Sequence, residues 1–204
     1  MSNVKYSFSE DGTAAYGELP SGDVFVIDAD MVEKVKTVKF YLGSKGGNSD
    51  QYYVIDCRGR ALHDYLFEHR MGFEIDHINL DTMDNRRCNI RYCTHQQNQM
   101  NQPLQKNNTS GVSGVSYYPP RHKFRARIKV CQQEIHLGYF DTFEDAVKAR
   151  NIGMRCMFGQ YGRYNDVGKV PAWMENKVAE KCACYAGLSQ NSAYFDFWDG
   201  GGDG

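Results

Sequence analysis

Residues 73–101, FEIDHINLDTMDNRRCNIRYCTHQQNQMN, contain two short strand patterns followed by the start of a helix. Residues 73–78 alternate with the period of a half-buried strand, and residues 89–93 form a second short run beyond a polar, turn-rich loop. Thr94 then opens a helix, with Gln97 three residues later at the spacing of a capping box. The stretch therefore predicts a ββα unit.

Four polar residues stand at fixed places in this predicted unit. Asp76 and His77 end the first strand, Asn89 follows twelve residues after His77, and Asn98 comes nine residues later near the helix start. A ββα hairpin can gather these side chains around one phosphate group. Hydrolysis of a phosphodiester needs a base for the attacking water and a cation for the charge that develops on the phosphate and the leaving oxygen.

The residue types suit those two tasks. A neutral imidazole is a suitable base near pH 7 and contributes about 10²–10⁴-fold. A carboxylate and an amide offer hard oxygen ligands, which favour Mg²⁺ or Mn²⁺. Taken alone, an Asp-His pair is more often a surface turn, and a lone Asn98 is an ordinary helix residue. The hypothesis rests on all four residues standing in register within one strand-loop-strand-helix pattern.

This pattern resembles the HNH (ββα-metal) nucleases, most closely the bacteriophage homing endonucleases whose last motif residue is Asn rather than His. The resemblance implies that His77 is the general base and that Asp76 and Asn98 are the metal ligands. It implies that Asn89 braces the hairpin loop so that His77 points at the phosphate. The loop residues Arg86 and Arg87 are predicted phosphate contacts. Asn98 departs from the commoner pattern, since an amide is a weaker ligand than histidine.

Composition sets broad limits on the chain. Its 204 residues allow one large or two small domains, and no run approaches the ~18 apolar residues of a membrane span. The start at Met1 has no basic and apolar signal segment, so we expect the protein in the cytoplasm of the producing cell. Seven cysteines, an odd number without a CxxC pair, favour reduced thiols over a disulfide framework or a zinc site.

The charge is segregated along the chain. The formal net charge is −1, but residues 106–165 carry ten Lys and Arg against four Asp and Glu, a net +6. The remainder therefore carries −7. A basic segment of this kind indicates an anionic partner such as DNA.

The residues ahead of the ββα unit predict a small β-rich segment. Residues 24–27 form a compact apolar strand, residues 38–42 and 51–56 read as two strands around the glycine-rich turn 43–47, and residues 61–70 predict an amphipathic helix. Two sets of polar residues in this segment could suggest further metal ligands. For Asp28, Asp30 and Glu33 we favour a turn followed by a helix start over a metal site. For His63 and His69 we favour packing or solvent exposure.

A second pattern follows in residues 110–165. Within residues 123–130, KFRARIKV, cations alternate strictly with apolar residues, so on a strand all the cations share one face. Residues 113–118 and 134–140 predict flanking strands. Thr142 then begins a helix with a stripe of small residues that can lie close to the sheet, namely Ala146, Ala149, Gly153 and Cys156.

This segment resembles the Apetala-2/ERF DNA-binding domain. The resemblance is carried by Gly114-Val115, the KFRARI strand, the LGYFDT run at 137–142, Glu144-Asp145-Ala146 and the closing Tyr164-Asn165. In that family the sheet lies in the major groove of DNA. The resemblance implies that its contacts to double-stranded DNA are Arg121, Lys123, Arg125, Arg127 and Lys129.

The sequence thus predicts an α+β protein in which a β-rich segment and HNH module (1–101) and a linker (102–109) precede a three-stranded antiparallel sheet packed on one helix (110–165). Residues 166–204 form an extension whose end is expected to be disordered. The predicted activity is metal-dependent, site-specific DNA cleavage that leaves 5′-phosphate and 3′-hydroxyl ends. An inactive DNA-binding regulator built on the same domains is the alternative. An RNA-binding module is disfavoured because the sheet is expected to lack paired aromatic side chains.

Overall fold

The computed structural model describes residues 3–44, 51–102, 104 and 108–189. The chain divides into two compact units, residues 1–95 and 96–204. Both contain helices and strands, so the predicted α+β class is confirmed. Most of the predicted turn 43–47, half of the linker 102–109 and the end of the extension from residue 190 onward lie outside the described residues.

The first unit begins with a three-stranded antiparallel sheet in the order β1-β2-β3. These strands are β1 (Lys5–Phe8), β2 (Ala14–Glu18) and β3 (Val24–Asp28). One face of the sheet buries Ala15, Phe25 and Ile27. Gly17 is required at its position because a Cβ there would lie 2.2 Å from the ring of Phe25. The predicted β-rich entry segment is thus a sheet with its own apolar core.

Short elements complete that core. They are α1 (Val32–Val35), the hairpin of β4 (Tyr41–Ser44) with β5 (Tyr52–Ile55), and α2 (His63–Leu66). The helix predicted over residues 61–70 was too long. It ends at Leu66 because Phe67 adopts extended backbone angles, φ −119° and ψ 144°, with its side chain packed against the core.

Residues 73–101 form the two strands and the helix that the sequence predicted. Strand β6 (Glu74–His77) pairs antiparallel with β7 (Ile90–Cys93), so that Asp76 lies opposite Arg91. Helix α3 (His95–Met100) follows, and its first residue, the last of the first unit, places Nδ1 2.8 Å from Oε1 of Glu74.

The second unit contains the predicted three-stranded sheet. Its strands are β8 (Val115–Tyr118), β9 (Lys123–Val130) and β10 (Gln133–Phe140), in the order β10-β9-β8 and all antiparallel. β9 alternates as predicted: Ala126, Ile128 and Val130 are buried, whereas the cations between them face away from the core.

Helix α4 (Phe143–Phe158) covers the apolar face of this sheet. Its N-cap is Thr142, whose Oγ1 accepts a hydrogen bond from the Asp145 amide at 3.1 Å. The predicted small-residue stripe is buried, and a Cβ at Gly153 would lie 2.8 Å from Leu137. The small residues therefore allow the close approach of helix and sheet that the pattern predicted.

Helix α5 (Ala172–Ala183) packs on α4 and β10, and its apolar side includes Met174, Val178 and Cys182. Trp173, by contrast, is 59% exposed. None of the helices in the described ranges is long and apolar enough to cross a membrane.

Candidate active site

His77 ends β6 and is buried within the first unit, with 5% of its surface exposed. The centroid of its ring lies 5.3 Å from that of His63 and 6.2 Å from that of Tyr53. Burial lowers the pKa of His77 below its ordinary value of 6.5, and this effect exceeds the opposing effects of Asn85 and the nearby carboxylates. The imidazole is therefore neutral near pH 7, the form that can accept a proton.

Asn85 is a contact of His77 that the sequence reasoning did not identify. Its Oδ1 lies 3.2 Å from Nε2 of His77, and its Nδ2 donates a hydrogen bond to the carbonyl of Thr82 at 3.1 Å. Asn85 is 1% exposed. The residue stands in a run of turn formers, so its type and position gave no sign that its side chain turns inward.

Asn89 joins the two ends of the loop between β6 and β7. Its Oδ1 accepts a hydrogen bond from the amide of Asn79 at 2.9 Å, and its Nδ2 donates to the carbonyl of Asp84 at 2.8 Å. The backbone carbonyl of Asn89 also accepts from the amide of Ile78 at 2.8 Å. These are the contacts that a residue bracing the loop needs.

Asp76 is paired with Arg91 across the hairpin. Nε and Nη2 of Arg91 lie 2.8 and 2.7 Å from Oδ2 of Asp76, and both side chains are largely buried. Asp76 fits a hard cation by its chemistry, since Mg²⁺ prefers carboxylate oxygens. A cation at Asp76 must either share the carboxylate with Arg91 or displace Arg91.

Charged or soft metal ligands are sparse among the described residues of this site. Within the described ranges, no group of three or more His, Cys, Asp or Glu side chains is arranged to hold a metal ion. The predicted ligand set of one carboxylate and one amide is sparser than such a cluster. A cation held by it would keep several water ligands, as Mg²⁺ usually does.

Asn98, the second predicted ligand, lies on the part of α3 that belongs to the second unit. The side chain is half-buried, and its Oδ1 lies 3.3 Å from Nε2 of Gln102. Its backbone carbonyl accepts from the amide of Asn101 at 3.0 Å. Its role in holding a cation stays a prediction.

Both arginines of the loop are engaged by carboxylates. Arg86 makes a two-pronged pair with Asp84, with Nε 2.8 Å from Oδ1 and Nη2 2.7 Å from Oδ2. Arg87 binds Asp30 through Nη1 and Nη2, both at 2.8 Å, and its amide donates to Oδ2 of Asp28 at 2.9 Å. A phosphate contact from either residue must therefore compete with an existing ion pair.

The N-terminal sheet supports this loop directly. The amide of Val26 on β3 donates to the carbonyl of Met83 at 2.9 Å, and the amide of Asn85 donates to the carbonyl of Val26 at 2.8 Å. Val26 and Asp84 thereby form a short parallel bridge. Together with the contacts of Arg87, these bonds fix the loop along the edge of β3. Asp28 and Asp30 hold Arg87 in this arrangement.

The cationic face of β9 in the second unit carries acidic partners from outside the strand. Lys123 lies 2.9 Å from a carboxylate oxygen of Asp141, and Arg127 lies 2.6 Å from Glu134 on β10. The alternation along β9 alone did not show these neighbours, because they follow later in the chain.

Aromatic rings also lie on this face, so the expectation that the sheet lacks paired aromatic side chains was wrong. The rings of Tyr118 and Tyr139 are 5.2 Å apart. The guanidinium of Arg121 lies 4.5 Å from the centroid of Tyr139, and that of Arg125 lies 5.7 Å from Tyr118. The tyrosines stand on separate strands, β8 and β10, so only the sheet brings them together. They support the two guanidinium groups by cation–π contact.

Comparison with known proteins bears on the site around His77. Residues 69–100 match the family model described as HNH endonuclease, a segment that contains Asp76, His77, Asn89 and Asn98. No curated protein and no solved structure is significantly similar to the chain. The match supports an HNH nuclease domain in this part of the chain.

Proposed function

We propose that the protein is a metal-dependent DNA endonuclease of the HNH homing type that hydrolyses a phosphodiester bond to 5′-phosphate and 3′-hydroxyl ends. The observation that carries the proposal is the environment of His77. It is buried, its burial lowers its pKa, it stands next to Asp76, and it lies in the segment that matches the HNH endonucleases.

In this proposal His77 takes a proton from the attacking water while the water oxygen approaches the phosphorus. Asp76 and Asn98 would hold Mg²⁺ or Mn²⁺. When bound, that cation supplies electrostatic stabilisation of the charge on the phosphate and the leaving oxygen. Asn89 acts through the loop: by tying Asn79 to Asp84 it keeps His77 at the mouth of the hairpin.

The second unit is proposed to position double-stranded DNA. Support comes from the face of β9, where the cations share one side of the sheet and two guanidinium groups are held against tyrosine rings. A fixed, planar guanidinium is suited to two-pronged contacts with a base edge or a phosphate. The proposed contacts are Arg121, Lys123, Arg125, Arg127 and Lys129, with Arg86 and Arg87 near the cleavage site.

An inactive DNA-binding regulator is the second candidate, and one observation favours it. The pairing of Arg91 with Asp76 occupies a carboxylate that a nuclease would use for its cation. In an active enzyme, Mg²⁺ must either bind Asp76 alongside Arg91 or displace Arg91 from it. In a regulator it would simply hold the two strands together.

The two candidates are separated by incubating the purified protein with supercoiled plasmid that carries the DNA flanking its own gene. The enzyme is expected to convert the plasmid with Mg²⁺ and to fail with a chelator. Relaxed circles would indicate nicking, and linear product a double-strand cut. A regulator would shift the plasmid in a binding gel and leave it supercoiled under both conditions.

A further inference from the structure

We infer that Asn85 is a positioning residue that fixes the tautomer and the ring orientation of His77, so that Nδ1 is the nitrogen that takes the proton. The inference rests on the proposed function, in which His77 is the base. It adds Asn85 to the residues of that site. It also gives the N-terminal sheet the role of positioning Asn85, because β3 binds the backbone of Asn85.

The orientation of the Asn85 amide follows from its two contacts. Nδ2 donates to the carbonyl of Thr82 at 3.1 Å, which places Oδ1 3.2 Å from Nε2 of His77. If the amide were flipped, Oδ1 would face the Thr82 carbonyl, and two acceptors would oppose each other in a buried position. The contact with Thr82 therefore selects the orientation in which Oδ1 faces the imidazole.

The tautomer of His77 follows from that orientation. An amide oxygen only accepts hydrogen bonds, so Nε2 must carry the hydrogen for the contact to be favourable. A neutral imidazole has one N–H, and its other nitrogen, here Nδ1, then carries the lone pair. Both residues are almost fully buried, so a ring orientation or tautomer that lost this hydrogen bond would be disfavoured.

The position of Asn85 is set by the N-terminal sheet. Its amide donates to the carbonyl of Val26 at 2.8 Å, and the amide of Val26 donates to Met83 two residues earlier in the loop at 2.9 Å. Asn85 is thus anchored at both its backbone and its side chain. The pairing of β3 with this irregular loop therefore places a loop side chain that contacts His77.

The test compares three full-length variants labelled with ¹⁵N-histidine. Asn85→Ala removes the acceptor, and Asn85→Asp keeps an acceptor oxygen while losing the donor to Thr82. The matched control is Cys88→Ala in the same loop, which replaces an exposed side chain that the proposal gives no role. The ring nitrogens of His77 are identified by their absence from the spectrum of His77→Ala.

At alkaline pH the wild-type protein is expected to show a protonated Nε2 and an unprotonated Nδ1 at His77. Asn85→Ala should give a mixture of tautomers, whereas Asn85→Asp and Cys88→Ala should keep the wild-type pattern. The single-turnover cleavage rate should fall about 10- to 100-fold in Asn85→Ala, the usual scale for a lost orienting partner, with the Kd for DNA unchanged. Asn85→Asp should recover most of this loss.

Two results would overturn the inference. One is a wild-type His77 with its hydrogen on Nδ1 or with mixed tautomers. The other is an Asn85→Ala protein that keeps both the wild-type tautomer and the wild-type rate. If Asn85→Ala fails to fold, the wild-type spectrum and Asn85→Asp still decide the matter. Failure of the proposed function would look different, because a protein that cleaves no DNA could still show the Nε2–H tautomer and its loss in Asn85→Ala.

Discussion

Arg91 places Nε and Nη2 within 2.8 and 2.7 Å of Oδ2 of Asp76, so the carboxylate proposed to bind the cation is already paired with a buried guanidinium. The register of the hairpin puts the two residues opposite each other on β6 and β7. The attraction between two buried charges of opposite sign offsets part of the cost of removing both from water. A cation that binds here meets a competitor for the same ligand.

We therefore expect Arg91→Ala to destabilise the metal-free protein by about 3 kcal/mol, because the substitution leaves a buried carboxylate without its partner. Added Mg²⁺ should then stabilise the variant more than it stabilises the wild type, since the ion takes the place of the guanidinium. Urea unfolding with and without Mg²⁺ measures both effects. If Mg²⁺ stabilises the two proteins equally, Asp76 is not where the ion binds.

Changes at the two predicted ligands should act on the metal dependence of cleavage. Asp76→Asn keeps an oxygen for Arg91 but removes the charge, and Asn98→Ala removes the amide oxygen. Each is expected to raise the Mg²⁺ concentration needed for half-maximal rate, because hard cations favour charged and amide oxygens.

Single-turnover rates over a Mg²⁺ series measure this dependence. Gln99→Ala on the exposed side of α3 serves as the control for Asn98→Ala. Unchanged Mg²⁺ titrations in both ligand variants would show that other groups hold the ion.

Removal of the cations on β9 should act on DNA binding and leave the chemistry intact. The variant replaces Lys123, Arg125, Arg127 and Lys129 with Ala. Each phosphate contact that is lost changes the slope of log K against log salt by ~0.9, so a loss of three contacts would flatten the slope by ~2.7. Lys123 and Arg127 are already paired with carboxylates, so we expect them to contribute less to this change in slope than Arg125 and Lys129.

A salt series of binding isotherms measures the slope, with Lys177→Ala on α5 as a control that also removes one exposed cation. The variant should still cleave DNA slowly at high protein concentration. An unchanged salt slope would show that the sheet is a scaffold and that the DNA-binding surface lies elsewhere.

The features that the sequence predicted well are those set by local periodicity. The alternation in β9, the N-cap at Thr142 and the buried stripe on α4 depend on neighbours within a few residues, which the pattern contains. The paired strands of the motif and the helix after them were found for the same reason.

The features that the sequence did not predict depend on contacts between distant residues. Arg87 is paired with Asp30, 57 residues away, and the loop that holds Asn85 is fixed by Val26 on another sheet. Tyr118 and Tyr139 meet only because their strands flank β9. Asn and Arg in a turn-rich loop are compatible with solvent exposure, so no local signal distinguishes residues that turn inward.

The central claim, that His77 is the base of a DNA-cleaving site, is tested most directly by His77→Ala. The measurement is the single-turnover cleavage rate with protein and Mg²⁺ both saturating, together with the Kd for the same DNA. The account predicts a rate at least ~10²-fold below that of the wild type, the usual scale for a lost general base, with an unchanged Kd. A His77→Ala protein that cleaves near the wild-type rate would contradict it.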